Sequence, residues 1–173
     1  MIPRFLLTAL LSTTVATMDG GATGPAVQAV TDPAQVFLAQ NRTAKGVFET
    51  PSGLQYQVIR PGAGDARPTD DDIALVLYEG RLVDGTTFDR SEQPAAMAVS
   101  GVVPGFAEAL KLMPKGAKYR FWIKPSLGYG EEVNGPIPAH SVLVFDVELL
   151  DFLSQDFIRQ VQQGGTEAQQ SGK

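Results

Sequence analysis

The sequence predicts an α+β domain in which a curved antiparallel β-sheet, a half-barrel of about five strands, wraps around one short α-helix. Short segments of alternating apolar residues recur between glycine, proline and aspartate, as in antiparallel strands joined by tight turns. Between them, residues 106–113 show the spacing of a helix with one apolar face, and proline and glycine precede them. A second short helix is predicted ahead of the sheet.

The strand candidates follow one another along the main domain. They comprise residues 54–60, 73–82, 86–89, 97–99, 117–124 and 142–151, of which 97–99 has the weakest turn signals. Asp84 and Gly85 predict a hairpin turn, because both residue types tolerate positive φ. Strand 117–124 alternates cleanly, and Trp122 shares a side with Lys118 and Arg120. We therefore expect Trp122 on the outer, charged face of the sheet.

Four parts of the chain are expected from the changes in pattern. Residues 1–29 are predicted to be a signal peptide, 30–50 an N-terminal helix and linker, 51–152 the main domain, and 153–173 a partly disordered tail. Asp32 followed by Pro33 predicts the start of the N-terminal helix, which should run for about three turns through Ala44. Gly46 should end this helix, whose role is to shield one face of the domain.

The first residues show the charge and hydropathy of an export signal. Arg4 is the only charged residue before Asp19, residues 5–16 are apolar or hydroxyl-bearing, and small residues precede a cleavage site after Ala29. Cleavage after Ala16 is also acceptable, and the alternative interpretation is a disordered N-terminus. We expect export to a bacterial periplasm, without stable membrane insertion after cleavage, because the apolar run is shorter than the roughly 20 residues that span a bilayer.

Composition excludes several classes of function. The net charge of −5 argues against a nucleic-acid-binding protein, and the absence of cysteine excludes thiol nucleophiles and thiolate metal sites. One histidine, His140, excludes a multi-histidine metal site and is expected to have a structural or hydrogen-bonding role. Residues 70–72 are all aspartate, which we interpret as a solvated acidic turn and not a cation site. No metal and no cofactor are expected.

Aromatic residues recur beside glycine, proline or aspartate where strands end or loops turn. They are Tyr78, Phe88, Phe106, Tyr129 and Phe145. Each alone is an ordinary core residue. Together with their neighbours, they form motifs in a definite order along the chain. These motifs are residues 78–80 (YEG), 84–91 (DGTTFDRS), 102–106 (VVPGF), 113–116 (MPKG), 127–130 (LGYG), 137–140 (IPAH) and 143–150 (LVFDVELL).

This series of motifs resembles the FKBP-type peptidyl-prolyl cis/trans isomerases over residues 51–152. The resemblance implies catalysis of X-Pro isomerisation in exported proteins, without a cofactor. By resemblance, the catalytic residues are Tyr78, Phe88, Asp89, Phe106 and Tyr129, and the substrate-binding residues are Met97, Val102, Val103, Ile137, His140 and Phe145. It also implies proline-containing polypeptides as partners, macrolides of the tacrolimus and rapamycin type as inhibitors, and a monomer, because the N-terminal helix is too short for a dimerisation arm.

Two positions depart from the family pattern. Phe106 stands where many members have tryptophan, and Ala95 and Met97 stand where many have two phenylalanines. A thinner, more adaptable wall is expected there, with altered substrate preference. The alternative function is a binding module that holds proline-containing segments of unfolded proteins with little turnover. A structural domain with a degenerate pocket is a third reading, opposed by the nearly complete set of aromatics.

Overall fold

A computed structural model of the chain describes residues 32–154 and, farther along, residues 157 and 159. The described part is an α+β domain. Its helices are α1 (Pro33–Asn41) and α2 (Pro104–Leu112), and its strands are β1 (Val47–Glu49), β2 (Gln55–Arg60), β3 (Asp72–Leu82), β4 (Thr87–Arg90), β5 (Ala95–Ala98), β6 (Lys118–Ile123) and β7 (Leu143–Ser154). The predicted signal peptide 1–29 and most of the predicted tail 153–173 lie outside the described residues.

The strands form one antiparallel sheet in the order β1-β2-β6-β7-β3-β4, and β5 also pairs with β3. The long strands β3 and β7 pair along their whole length, from Asp72 opposite Ser154 to Leu82 opposite Leu143. The predicted fold class is confirmed, and the described part of the chain has seven strands where the sequence predicted about five. Within residues 32–154, 157 and 159, no helix is long and apolar enough to cross a membrane.

Helix α2 packs against one face of the sheet and forms the main core with it. Ala109 and Leu110 of α2 and Met113 just after it are fully buried, as the predicted apolar face of the helix requires. They meet alternate residues of the central strands, among them Phe121 and Val147, which are also fully buried. Each such aliphatic or aromatic side chain contributes about 1.5–3 kcal/mol by leaving water, so this interface is the main source of the domain's stability.

Helix α1 covers the opposite face of the sheet. Trp122 does lie on that face, but it is 8% exposed, because it packs in a small second cluster with Ala34, Val142 and Val144. The expectation that Trp122 sits among charges is therefore wrong. The predicted cap is present, since the Asp32 carboxylate accepts the N–H of Ala34 at 2.9 Å.

Helix α1 is shorter than the sequence predicted. It ends at Asn41 instead of continuing through Ala44, and the chain enters β1 at Val47. Strand β1 was not predicted, because its three residues are too few to show an alternation. It is defined by its partner, with Phe48 opposite Tyr56.

Two turns differ from their predictions. In the β3–β4 turn only Gly85 has a positive φ, of 91°, while the Asp84 carboxylate accepts the N–H of Thr86 at 2.8 Å. Asp72 is not solvated, since it is 7% exposed and its carboxylate accepts the N–H of Thr69 at 2.8 Å. Asp70 remains at the surface and pairs with Lys111 at 2.7 Å. Asp70 and Asp72 therefore stabilise the turn that leads into β3.

The outer face of the central strands carries a paired carboxylate. Asp146 accepts two hydrogen bonds from Arg120, at 2.5 and 2.8 Å, and one from Arg81 at 2.5 Å. Burial of Asp146 opposes its ionisation, but the hydrogen bonds and charge of Arg120, with further charge from Arg81 and Lys118, outweigh it. The pKa of Asp146 therefore lies below its ordinary value, and the ionised carboxylate joins strands β3, β6 and β7.

We predict that Asp146→Asn lowers the free energy of unfolding at pH 7 by about 2 kcal/mol, because it leaves two half-buried arginines without their anion. A lowered folded-state pKa stabilises the protein above the unfolded pKa of about 4, and this contribution is lost as pH falls through the folded value. The difference between variant and wild type should therefore shrink below about pH 4. Urea unfolding at several pH values, monitored by Trp122 fluorescence, measures the free energy of unfolding of both proteins.

Asp70→Asn is the matched control. Asp70 and its partner Lys111 are both solvent-exposed. The substitution should therefore lower the free energy of unfolding by less than about 0.5 kcal/mol at any pH. Equal effects of the two substitutions would show that the Asp146 network adds no more stability than a surface ion pair.

Candidate active site

A cavity of about 350 Å³ opens on the concave side of the sheet, next to the first turn of α2. Strands β3 and β7, the β4–β5 region and the loop after β6 contribute to its walls. The residues that line it are Tyr78, Asp89, Met97, Gly101, Val102, Val103, Phe106, Tyr129 and Phe145. The structure thus brings together every predicted site residue except Phe88, Ile137 and His140.

Three aromatic rings form the base of the cavity. Phe106 is 4% exposed and meets Phe145 edge-on, with ring centroids 4.9 Å apart. Tyr78 contacts Phe106 in the same manner at 6.1 Å. Edge-to-face contacts of this kind are the preferred geometry of aromatic pairs and hold each ring at a fixed angle. The base is therefore rigid and apolar.

Phe88 supports this base from behind instead of lining the cavity. Its ring lies edge-on to Phe145, with centroids 5.5 Å apart. Both rings approach the main chain of β3 at Gly80, where an added Cβ would lie 2.6 Å from Phe88 and 2.7 Å from Phe145. Only glycine leaves room for both rings, a requirement that the sequence analysis did not identify.

The polar groups of the cavity belong to two tyrosines and one carboxylate. The Tyr78 hydroxyl donates a hydrogen bond to Asp89 Oδ2 at 2.7 Å. Burial of Tyr78, and next its bond to Asp89 and the charge of that carboxylate, raise the pKa of Tyr78 to about 12. Tyr78 is therefore a neutral donor at all physiological pH values. Tyr129 lies at the rim and is 38% exposed, so its hydroxyl is accessible to a ligand.

Ile137 and His140 lie away from the cavity. Ile137 is 4% exposed, packs in the main core and bridges to Asn134, which anchors the loop that follows Tyr129. His140 has a left-handed backbone, with φ of 58°, and its N–H donates to the carbonyl of Gly130 at 2.8 Å. It borders a separate depression beside α1. This bond comes from the main chain of His140, and the position of His140 outside the cavity lining does not support direct contact with a ligand there.

Gly101 is a lining residue that the sequence analysis missed. It ends a short 3-10 turn, Val99–Gly101, directly before Val102 and Val103. A glycine offers no side-chain chemistry, so its only signal was its position before the VVPGF motif. Within the described part of the chain, no group of three or more histidine, aspartate or glutamate residues is arranged to hold a metal ion.

Comparison with protein families identifies the domain. The model for the FKBP-type peptidyl-prolyl cis-trans isomerase matches residues 64–150, and the model for the domain amino-terminal to this isomerase matches residues 18–58. The chain belongs to the FKBP-type peptidyl-prolyl cis-trans isomerase family. The resemblance of its motifs to this family is thereby confirmed.

This FKBP-type chain is similar to curated isomerases from two bacteria. It is 50% identical over 117 residues to the isomerase FkpA of Aeromonas hydrophila, covering 66% of this chain and 43% of FkpA. It is 48% identical over 121 residues to the FKBP-type 22 kDa isomerase of Escherichia coli K12, covering 68% and 58% of the two chains. This FKBP-type chain therefore spans about half the length of these curated relatives.

Solved structures agree with this placement. A crystal structure of FkpA from Escherichia coli superposes with a TM-score of 0.66 at 42% identity, covering 70% of this chain and 58% of that one. A peptidyl-prolyl cis-trans isomerase from Pseudomonas syringae pv. tomato superposes with a TM-score of 0.67 at 36% identity, covering 71% of this FKBP-type chain and 92% of the other.

We predict that Asp89→Asn lowers the pKa of Tyr78 from about 12 toward 10. The substitution removes the negative charge that opposes ionisation of the phenol, while burial of Tyr78 remains. If the pKa falls to about 11, the ionised fraction at pH 11 rises from roughly one tenth to one half. NMR of tyrosine labelled at Cζ measures this fraction.

Tyr119 provides an internal control in the same spectra. Burial raises its pKa as well, but its neighbours are Arg67 and Tyr56, not Asp89. Its titration should be identical in the two proteins. An unchanged Tyr78 titration in Asp89→Asn would contradict the hydrogen-bonded pair.

Proposed function

We propose that the chain accelerates the cis/trans isomerisation of X-Pro bonds in proline-containing polypeptides, within the aromatic cavity. One observation carries this proposal. The cavity combines a rigid apolar base, formed by Phe106 and Phe145, with a hydrogen-bonded Tyr78–Asp89 pair at one side. Family membership supports the same reaction. The curated relatives are about twice as long as the matched segment, so the activity of this chain is a proposal of its own.

The chemistry requires no nucleophile. Amide resonance sets a barrier of about 18–20 kcal/mol, and rotation about the X-Pro bond breaks that resonance. The twisted amide has less charge separation than the planar one, so a water-poor aromatic cavity favours it over the ground state. The proline ring is expected to rest on Phe106, with Val102 and Val103 beside it.

The polar residues of the cavity would act on the amide groups around the bond. The Tyr129 hydroxyl, accessible at the rim, can donate to a substrate carbonyl. Asp89 is exposed and receives one hydrogen bond from Tyr78, which leaves acceptor capacity for orienting or polarising groups near the twisting bond. Each such contact is worth about 1–3 kcal/mol if it strengthens in the transition state.

The departures from the family pattern affect one wall. Met97 lines the cavity, whereas Ala95 pairs with Val76 in the sheet and does not line it. A methionine is unbranched and adaptable, so we expect tolerance of varied residues beside the proline. Tacrolimus-like macrolides, which would occupy the same apolar base, are the proposed inhibitors.

We predict measurable catalysis in a protease-coupled assay at low temperature with a Leu-Pro-Phe peptide, abolished by tacrolimus. Asp89→Asn should lower kcat/KM at least about tenfold, equivalent to about 1.4 kcal/mol, while peptide affinity changes less than about threefold. The reason is that Asp89 is expected to act on the twisted amide, whereas the apolar base supplies most of the binding.

Glu92→Gln is the matched control. Glu92 lies three residues beyond Asp89 but pairs with Arg90 at the surface, outside the cavity lining, so its loss should leave turnover unchanged. Equal losses of turnover and affinity in Asp89→Asn would favour the binding-module alternative. Folded protein that binds proline peptides without turnover would overturn the isomerase proposal.

Export and a monomeric state are proposed with this activity. The amino-terminal family match begins at residue 18, which favours cleavage after Ala16 over cleavage after Ala29. Within the described residues, the helix ahead of the sheet has nine residues, which is short for a dimerisation arm and supports a monomer.

We predict that the full chain, expressed in a Gram-negative bacterium, is recovered from the periplasmic fraction without its first residues. N-terminal sequencing should place the new terminus after Ala16 or Ala29, and light scattering should give the mass of one chain. An uncleaved cytoplasmic product would contradict export, and a dimer mass would contradict the monomer.

A further inference from the structure

One edge of strand β3 is divided between two other strands. Strand β4 pairs with it at Glu79 to Arg81, and β5 pairs with it at Ile73 to Val76. Tyr78 lies between these two stretches, where neither strand continues the ladder. A main-chain N–H without an acceptor would be costly there, because Tyr78 is half-buried.

Ser91 completes the hydrogen bonding of Tyr78 in this gap. The N–H of Ser91 donates to the carbonyl of Tyr78 at 2.9 Å, and Ser91 Oγ accepts the N–H of Tyr78 at 2.8 Å. In a regular antiparallel ladder a main-chain carbonyl would accept that N–H. Here the chain turns away toward β5, and a serine hydroxyl replaces the carbonyl.

We propose that Ser91 is a positioning residue of the isomerase site, whose hydroxyl holds the Tyr78 main chain at a fixed distance from Asp89. Two side-chain hydrogen bonds then connect Tyr78 to the 89–91 segment, since the Tyr78 hydroxyl also donates to Asp89 Oδ2 at 2.7 Å. This inference deepens the proposed function and rests on it. Groups whose geometry is held by such supporting bonds are pre-organised for their task.

Ser91 acts through Tyr78 and not on a ligand. It does not line the cavity, and its hydrogen bonds in the described structure are those with Tyr78. Without its hydroxyl, the N–H of Tyr78 loses its acceptor, and the distance between Tyr78 and Asp89 is held less tightly, although β7 still pairs with β3 on its other edge. The apolar base at Phe106 does not depend on this bond, so turnover should suffer more than peptide binding.

The experiment compares Ser91→Ala and Ser91→Thr with Ser52→Ala. Ser52 is the control because its Oγ also accepts a main-chain N–H, from Leu54 at 3.3 Å, and bonds Glu108 at 2.7 Å, outside the cavity lining. Three quantities are measured in each protein: kcat/KM, peptide affinity, and the ionised fraction of Tyr78 at pH 11 from Cζ-labelled NMR spectra.

In Ser91→Ala we expect kcat/KM to fall about tenfold, affinity to change less than about threefold, and the ionised fraction of Tyr78 to rise. Ser91→Thr, which keeps the Oγ acceptor, should restore kcat/KM to within about threefold of wild type. Ser52→Ala should leave all three quantities unchanged. This pattern of results supports a positioning role of Ser91 for Tyr78, because general destabilisation would affect both alanine variants alike.

The inference is overturned if Ser91→Ala keeps both the Tyr78 titration and kcat/KM within twofold of wild type, or if Ser52→Ala shows the same losses. Should Ser91→Ala not fold, Ser91→Cys replaces it, since a thiol of similar size is a much weaker acceptor. A wild-type protein without turnover would overturn the proposed function instead, and the Tyr78 titration would still decide whether Ser91 positions that side chain.

Discussion

The pairing of β3 with β7 is the constraint on which both faces of the domain depend. The two strands are in register from Asp72 opposite Ser154 to Leu82 opposite Leu143, with one irregularity between Leu75 and Val76. Because side chains alternate along a strand, this register decides which residues face α2 and which face outward. A slip by one residue would turn Asp146 into the core and remove the base of the cavity.

The same register explains how the cavity is built. Gly80 lies opposite Phe145, and the missing side chain on β3 is the space into which the rings of Phe145 and Phe88 fit. Phe106 then meets Phe145 from the start of α2. The site thus forms where the helix end, the two central strands and the edge of the sheet converge, so its shape depends on packing that is also essential to the core.

The two faces of the sheet have different physical properties. On the concave face, apolar burial dominates, and the polar groups are restricted to the border of the cavity. On the outer face, Asp146 and its arginines join neighbouring strands, while α1 covers Trp122 at the other end. Among the residues that line the cavity, Asp89 carries the charge, and its single phenolic partner leaves it able to interact with a ligand.

Local pattern in the sequence determined the fold class, the buried face of α2 and the approximate positions of most strands along the chain, because periodicity and turn chemistry act between close neighbours. The order of the strands within the sheet depends instead on long-range pairing. The motifs around Tyr78, Phe106 and Tyr129 determined the family. Tertiary structure alone decided the burial of Trp122, the existence of β1, the placement of His140 outside the cavity and the contacts of Gly80 and Ser91. Each of these depends on segments that are distant in the chain meeting in space, and no local periodicity records which segments those are.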